Sequence, residues 1–186
     1  MDNKPEKKVV IVGNQQGEFF FCPPDPKLKE MLVPPGRTLV TIPDPRLRQV
    51  CKPVEKIDDY VREVVQALQD WLGRPVQIGR YTSMCIGMSA PQLGELIRVY
   101  VVRLQGIDWV VINPEVVKSK GKQVVAESCE SLPDQHFDIE RAETFKVRAM
   151  DLDGNQRGYK GHGLLAAVLQ HEFDHLEGIM IDKKGR

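Results

Sequence analysis

Leu164-Leu-Ala-Ala-Val-Leu-Gln170-His171-Glu172-Phe173-Asp174-His175-Leu176 is the stretch on which the reading of this 186-residue chain turns. It is made of good helix formers, with no Pro or Gly inside it, and Gly178 stands just past it as a terminator. The pattern predicts a helix over about Leu164 to Leu176. His171 and His175 are one turn apart, roughly 6 Å of rise, so both imidazoles project from one face and can bind one metal ion. Glu172 sits beside that face, placed to take a proton from water that the metal activates. Leu164, Leu165, Val168, Leu169, Phe173 and Leu176 are apolar, which predicts a buried helix. Two histidines and two acids on a buried helix need a partner, and a metal supplies one. The plain alternative is a solvated face that matches HExxH by accident, yet the chain holds four histidines and two fall at this spacing.

The third ligand decides which kind of metalloenzyme this is. The extended form HExxHxxGxxH fails, because Gly178 fits it but Ile181 stands where the third His belongs. Glu177 and Asp182 are too close along the chain to be comfortable ligands. The ligand is therefore expected from upstream, with Cys129, Cys85, His136 and His162 as candidates. Cys129 is the best of them: Glu127-Ser-Cys-Glu-Ser131 is short, polar and follows a strand, so a thiolate can be presented at a strand end. Taken alone, a single Cys is as readily a small buried hydrophobe.

Further outward, the composition is that of an ordinary globular domain, 41% hydrophobic and 28% charged. Lys plus Arg number 26 and Asp plus Glu number 26, which argues against a nucleic-acid binder working through a strong basic field. No stretch approaches the roughly 20 apolar residues of a membrane-spanning helix. Cys22, Cys51, Cys85 and Cys129 form no CxxC pair, so a reducing compartment with free thiols is expected. Residues 1–37 hold six of the thirteen prolines and read as an irregular arm, with Lys27 to Val33 its one helical-looking piece. That arm lacks the Arg-rich, acid-poor character of a mitochondrial transit peptide, so the expectation is a cytosolic protein or a sequence that begins after processing.

Between arm and metal helix, Val40 to Arg48 reads as an extended segment entering a turn. A helix follows over Ile57, Tyr60, Val61, Val64, Val65, Leu68, Trp71 and Leu72, with Asp58 as its cap and Gly73 and Pro75 closing it. Ile97 to Val102, Trp109 to Ile112, Val116, Val124-Val125 and Phe145 to Met150 read as strand material, Ile112-Asn-Pro-Glu115 and Asp151 to Asn155 as turns. His136 and His162 fall in polar stretches read as loops with solvated side chains. A strand-rich body clasping two helices makes this an α+β domain over residues 38–186.

Three segments then resemble the peptide deformylases. Gln170-His-Glu-Phe-Asp-His175 with Gly178 matches the family's QHExDH motif. Glu127-Ser-Cys-Glu-Ser131 is similar to its EGCLS, and Cys85-Ile-Gly-Met-Ser-Ala-Pro-Gln92 to its GxGxAAPQ. They come in the family's order, and the likeness covers about Leu39 to Asp182. One motif alone is weak; three in order are specific. Cys85, Ser89 and Glu130 in place of the bacterial residues are similar to the mitochondrial deformylases of eukaryotes, whereas Ser128 departs from both. Alone, Gly87 to Gln92 would read as a turn beside a core strand.

What the resemblance implies is a peptide-deformylase-like fold, with mixed or antiparallel sheets around the HExxH helix. It implies a hydrolase that removes the formyl group from formyl-methionyl nascent polypeptides, a step of protein biosynthesis and N-terminal methionine processing. Cys129, His171 and His175 would hold one divalent metal, ferrous iron (Fe2+) by family habit, with zinc, nickel or cobalt as substitutes. Glu172 would be the base, while the Gln92 side chain and the Glu130 backbone N–H would hold the oxyanion. Ile86, Gly87, Glu127, Leu164 and Val168 would bind substrate. Glu127 and Arg141 would pair to steady the Cys129 segment, or else are two unrelated surface charges. A monomer or homodimer acting at the ribosome, without membrane contact, and mitochondrial residence are implied in the same way. Another metal-dependent amidase or peptidase, or a catalytically silent binding protein motivated by Ser128 and Glu130, are the competing expectations.

Overall fold

The computed structural model describes residues 37–185 except 79 and 80. The arm expected over residues 1–37 lies outside the described residues apart from Arg37. Two helices and nine strands follow: α1 (Asp59–Trp71), β1 (Pro75–Ile78), β2 (Tyr81–Met84), β3 (Gly87–Ser89), β4 (Val99–Leu104), β5 (Ile107–Lys120), β6 (Gln123–Cys129), β7 (Leu132–Arg141), β8 (Thr144–Met150), β9 (Gln156–His162) and α2 (Leu164–Leu176). Every strand pairing is antiparallel. The sheets are β1-β2, β3-β4-β5-β8-β9 and β6-β7. The fold is α+β, as expected. No described helix is long and apolar enough to cross a membrane.

β4 shows why the architecture forms. Its run Val99-Tyr-Val-Val is fully buried because both faces of the sheet are covered at this strand. Val99 and Val101 join Val61, Val64 and Leu68 of α1 in one apolar cluster. Tyr100 and Val102 turn the other way and join Ala166, Val168, Leu169 and Leu176 of α2. The sheet thus lies between the two helices, and α2 is held by burial of its apolar side, about 1.5–3 kcal/mol for each large side chain taken from water. A third cluster, Val40, Leu47, Cys129, Leu132, Ile139, Met180 and Ile181, joins the β6-β7 hairpin to the segments flanking the domain.

α1 and α2 occupy the stretches expected of them. Asp58 caps α1 by accepting from the Val61 backbone N–H at 3.1 Å. Tyr60 leaves the predicted apolar stripe: it is exposed and donates its hydroxyl to Glu95. The predicted turn at Ile112 to Glu115 is instead a bulge inside one long strand, marked by a register shift and by Asn113 at φ 53°. The Asn113 side chain pairs with both backbone groups of Val54 at 2.8 Å, its own N–H donates to the Arg98 carbonyl at 2.8 Å, and Pro114 falls in the register shift between Ile112 and Glu115, where no ladder donor is needed. His136 and His162 lie on β7 and β9 rather than in loops, though both are exposed as expected.

Candidate metal centre

α2 carries His171 and His175 one turn apart, and β6 ends at Cys129 against them. The Cys129 sulfur lies 3.3 Å from His175 Nε2, and the two Nε2 atoms lie 3.2 Å apart. All three ligand atoms fall within 4.8 Å of one another. Among the described residues this is the one such group of three or more His, Cys, Asp or Glu side chains. Cys85 stands apart from it, a buried thiol 3.3 Å from the Gly87 carbonyl, and His136 and His162 are not part of it.

A charge network behind the rings orients His171. Arg141 is 2% exposed and donates Nε and Nη2 to the two carboxylate oxygens of Glu127, each at 2.7 Å. Glu127 Oε2 also lies 2.9 Å from His171 Nδ1. Burial would raise the Glu127 pKa, but Arg141 and His171 overcome that and bring it down to about 2. A carboxylate there keeps a proton on Nδ1, so Nε2, facing His175 and Cys129, is the nitrogen left to bind a metal once its own proton is lost. Burial opposes charge on His171, yet the Cys129 sulfur and the Glu127 carboxylate outweigh it and hold its pKa well above the ordinary value. Burial and the neighbouring His171 push His175 well below. A sulfur and two imidazole nitrogens converging this closely compete for protons, whereas one divalent cation satisfies all three; the donor set fits a metal of the zinc or ferrous type.

Glu172 is 3% exposed, and its Oε2 has no hydrogen-bond partner. Burial raises its pKa to about 7, against the pull of His171. Gly87 lies beneath it: an added Cβ would overlap Glu172 Oε1 and sit 3.0 Å from Val168 Cγ1. Gly87 thus gives room to this carboxylate. Gln92 is 2% exposed and held by its oxygen, which accepts from the Ser89 backbone N–H and hydroxyl, each at 2.9 Å. Its Nε2 consequently faces Cys129 Sγ at 3.6 Å and Ser131 Oγ at 3.4 Å. Glu130 follows Cys129 in the tight turn between β6 and β7. Burial, then repulsion from Glu172, raises its pKa to about 7.

Of the residues expected to bind substrate, Val168 is buried beside Gly87, Ile86 is half-buried and Leu164 is exposed at the start of α2. Glu127 differs from that expectation: both oxygens are engaged inside the protein, which makes it the orienting group for His171. Two supports were missed in the sequence. Asp174 is 8% exposed and accepts from Arg141 Nη1. Gln170 clamps the backbone of Ala142, accepting from its N–H and donating to its carbonyl at 2.9 Å, which anchors α2 beside Arg141. A buried acid on an apolar helix was the signal for Asp174.

Comparison with known proteins agrees with this geometry. The model of the family described as Polypeptide deformylase matches residues 37–184. A peptide deformylase of Thermomicrobium roseum is 40% identical over 153 residues, 77% of this chain and 82% of that one. One from Dictyoglomus thermophilum is 37% identical over 147 residues, 78% of this chain and 90% of that one. The crystal structure of peptide deformylase from Thermotoga maritima aligns with TM-score 0.70 at 30% identity, covering 81% of this chain and 97% of that one. That from Synechococcus elongatus in complex with actinonin gives 0.72 at 29% identity, covering 83% and 81%. With the family model matching residues 37–184 and relatives up to 40% identical, this chain belongs to the polypeptide deformylase family.

Proposed function

We propose that this chain is a peptide deformylase, a metallohydrolase that removes the formyl group from formyl-methionyl polypeptides and releases formate. The observation that carries the reading is the meeting of Cys129 Sγ, 3.3 Å from His175 Nε2, with His171 Nε2, 3.2 Å from that same nitrogen, beside a buried carboxylate with a free oxygen. Cys129, His171 and His175 hold the cation, which when bound supplies the positive charge that acidifies water and polarises a carbonyl. Glu172, a buried carboxylate with one unpartnered oxygen, accepts the proton of the attacking water. The water oxygen joins the formyl carbon, the C–N bond breaks, and Glu172 returns the proton to the leaving amine. The Gln92 amide nitrogen and the Glu130 backbone N–H stabilise the oxyanion, one such donor contributing roughly 3 kcal/mol to the barrier.

Ile86, Leu164 and Val168 offer apolar surface for a methionine side chain. Ferrous iron is the resident metal in this reading, with zinc, nickel or cobalt able to replace it, since one thiolate and two imidazoles suit each. Action at the ribosome as a monomer or homodimer, and mitochondrial residence with the cytosol as alternative, belong to the same proposal and rest on the resemblance. Formate release from a formyl-methionyl peptide by anaerobically purified protein is the test. Activity abolished by Glu172→Ala with metal still bound supports the reading. Turnover only of acetylated or unformylated peptides, or full activity in the variant, overturns it.

A further inference from the structure

The segment after α2 returns to the metal centre from behind. The chain reverses at Gly178, forms a short 3-10 helix at Ile181–Lys183 packed on β6 and β7, and brings Gly185 against Phe137 of β7, where an added Cβ would stand 2.8 Å from the ring. This places Lys184 Nζ 2.6 Å from Asp174 Oδ2. The same oxygen accepts from Arg141 Nη1. Arg141 therefore faces two carboxylates, Glu127 and Asp174, in a setting where its own side chain is 2% exposed. Arg141 gives separate nitrogens to its two acids, and Lys184, itself partly exposed, adds a second cation at the Asp174 oxygen.

We propose that Lys184 is a positioning residue for the metal centre. By neutralising Asp174 it leaves Arg141 to hold Glu127 with both nitrogens, and Glu127 in turn fixes the His171 ring. Without Lys184, Asp174 competes for Arg141, Glu127 loosens, and the His171 lone pair loses its aim. The proposal rests on the metal-centre reading above. Its readout is metal affinity, so a chain that binds metal but releases no formate fails only the assigned reaction.

The experiment is Co2+ affinity by chelator competition on the full chain, with the absorption bands of the Co2+ form as a view of its ligands. Lys184→Met is expected to weaken binding by about 10-fold, the low end of the range for residues that orient metal ligands. Lys184→Arg restores binding to within about twofold, and Lys183→Met, an exposed neighbour, leaves it unchanged. The double variant Asp174→Asn/Lys184→Met removes the competing charge and recovers affinity relative to Lys184→Met. A Lys184→Met protein that binds Co2+ as the wild type does, with only its melting temperature lowered, makes Lys184 a tether and overturns the proposal. A double variant as weak as the single one overturns it as well. A wild-type chain that binds no Co2+ removes both this proposal and the metal reading.

Discussion

Gly87 and Glu172 occupy space that admits only one side chain: a Cβ on Gly87 would overlap the Oε1 of the carboxylate. Glu172 is buried on all sides, so it cannot simply swing into solvent. Gly87→Ala is expected to displace it by a fraction of an ångström and to lower kcat by about 100-fold. Metal content should stay at the wild-type level, because the atoms nearest an added Cβ belong to Glu172 and Val168 and not to Cys129, His171 or His175. Unchanged turnover in Gly87→Ala would mean that the carboxylate position is not critical.

Gln92 yields a separate prediction. Its oxygen is anchored by Ser89, so its Nε2 is pre-aimed at the ligand sulfur side of the site. Gln92→Leu should cost about 100- to 1,000-fold in kcat with little change in bound metal, the loss expected for one oxyanion donor. Single-turnover kinetics on metal-loaded protein measures it, and a change confined to KM would assign Gln92 to binding instead.

The Glu127–Arg141 pair makes stability depend on pH. Glu127 has its pKa lowered from 4.5 to about 2 in the folded protein. A depressed carboxylate contributes stability that is complete above the unfolded value and disappears as pH falls through the folded one. Glu127→Gln leaves Arg141 partly unpaired and should destabilise the protein by about 3 kcal/mol at pH 6. The gap between wild type and variant should narrow between about pH 4.5 and pH 2. Thermal melts across that range check it; a gap that ignores pH would separate this pair from the stability of the fold.

Metal removal should leave the fold in place. The apolar clusters around α1 and α2 include none of the three ligands, and only Cys129 belongs to the third. Chelated protein is expected to keep its circular dichroism while losing activity. Its unfolding free energy should fall by the ligand-linkage amount, about 2.7 kcal/mol when free metal had been 100-fold above Kd, and its melting temperature with it. Unfolding on chelation would contradict this.

The parts of the molecule that were legible in its sequence are those where one physical demand dominates. Leu164–Leu176 declared itself because an apolar helix must explain two histidines, and β4 because a strand covered on both faces reads as unbroken hydrophobics. β7 and β9 stayed hidden because most of their residues face water and spell polar runs such as Pro133-Asp-Gln-His136. The Asn113 bulge looked like a turn because its partner, the Val54 backbone, is 59 positions away. Asp174, Gln170 and Lys184 escaped notice for the same reason: each acts across tertiary contacts that spacing along the chain does not encode. Glu127 was expected, by resemblance, both to bind substrate and to pair with Arg141, and the pairing is the part that its two oxygens show.

One ion held by Cys129, His171 and His175 is the claim under everything else, and X-ray absorption at the zinc edge of the zinc-loaded protein tests it most directly. The account predicts one sulfur at about 2.3 Å and two imidazole nitrogens at about 2.0–2.1 Å, with the sulfur shell lost in Cys129→Ser. A spectrum fitted by nitrogen and oxygen alone in the wild-type protein would contradict it.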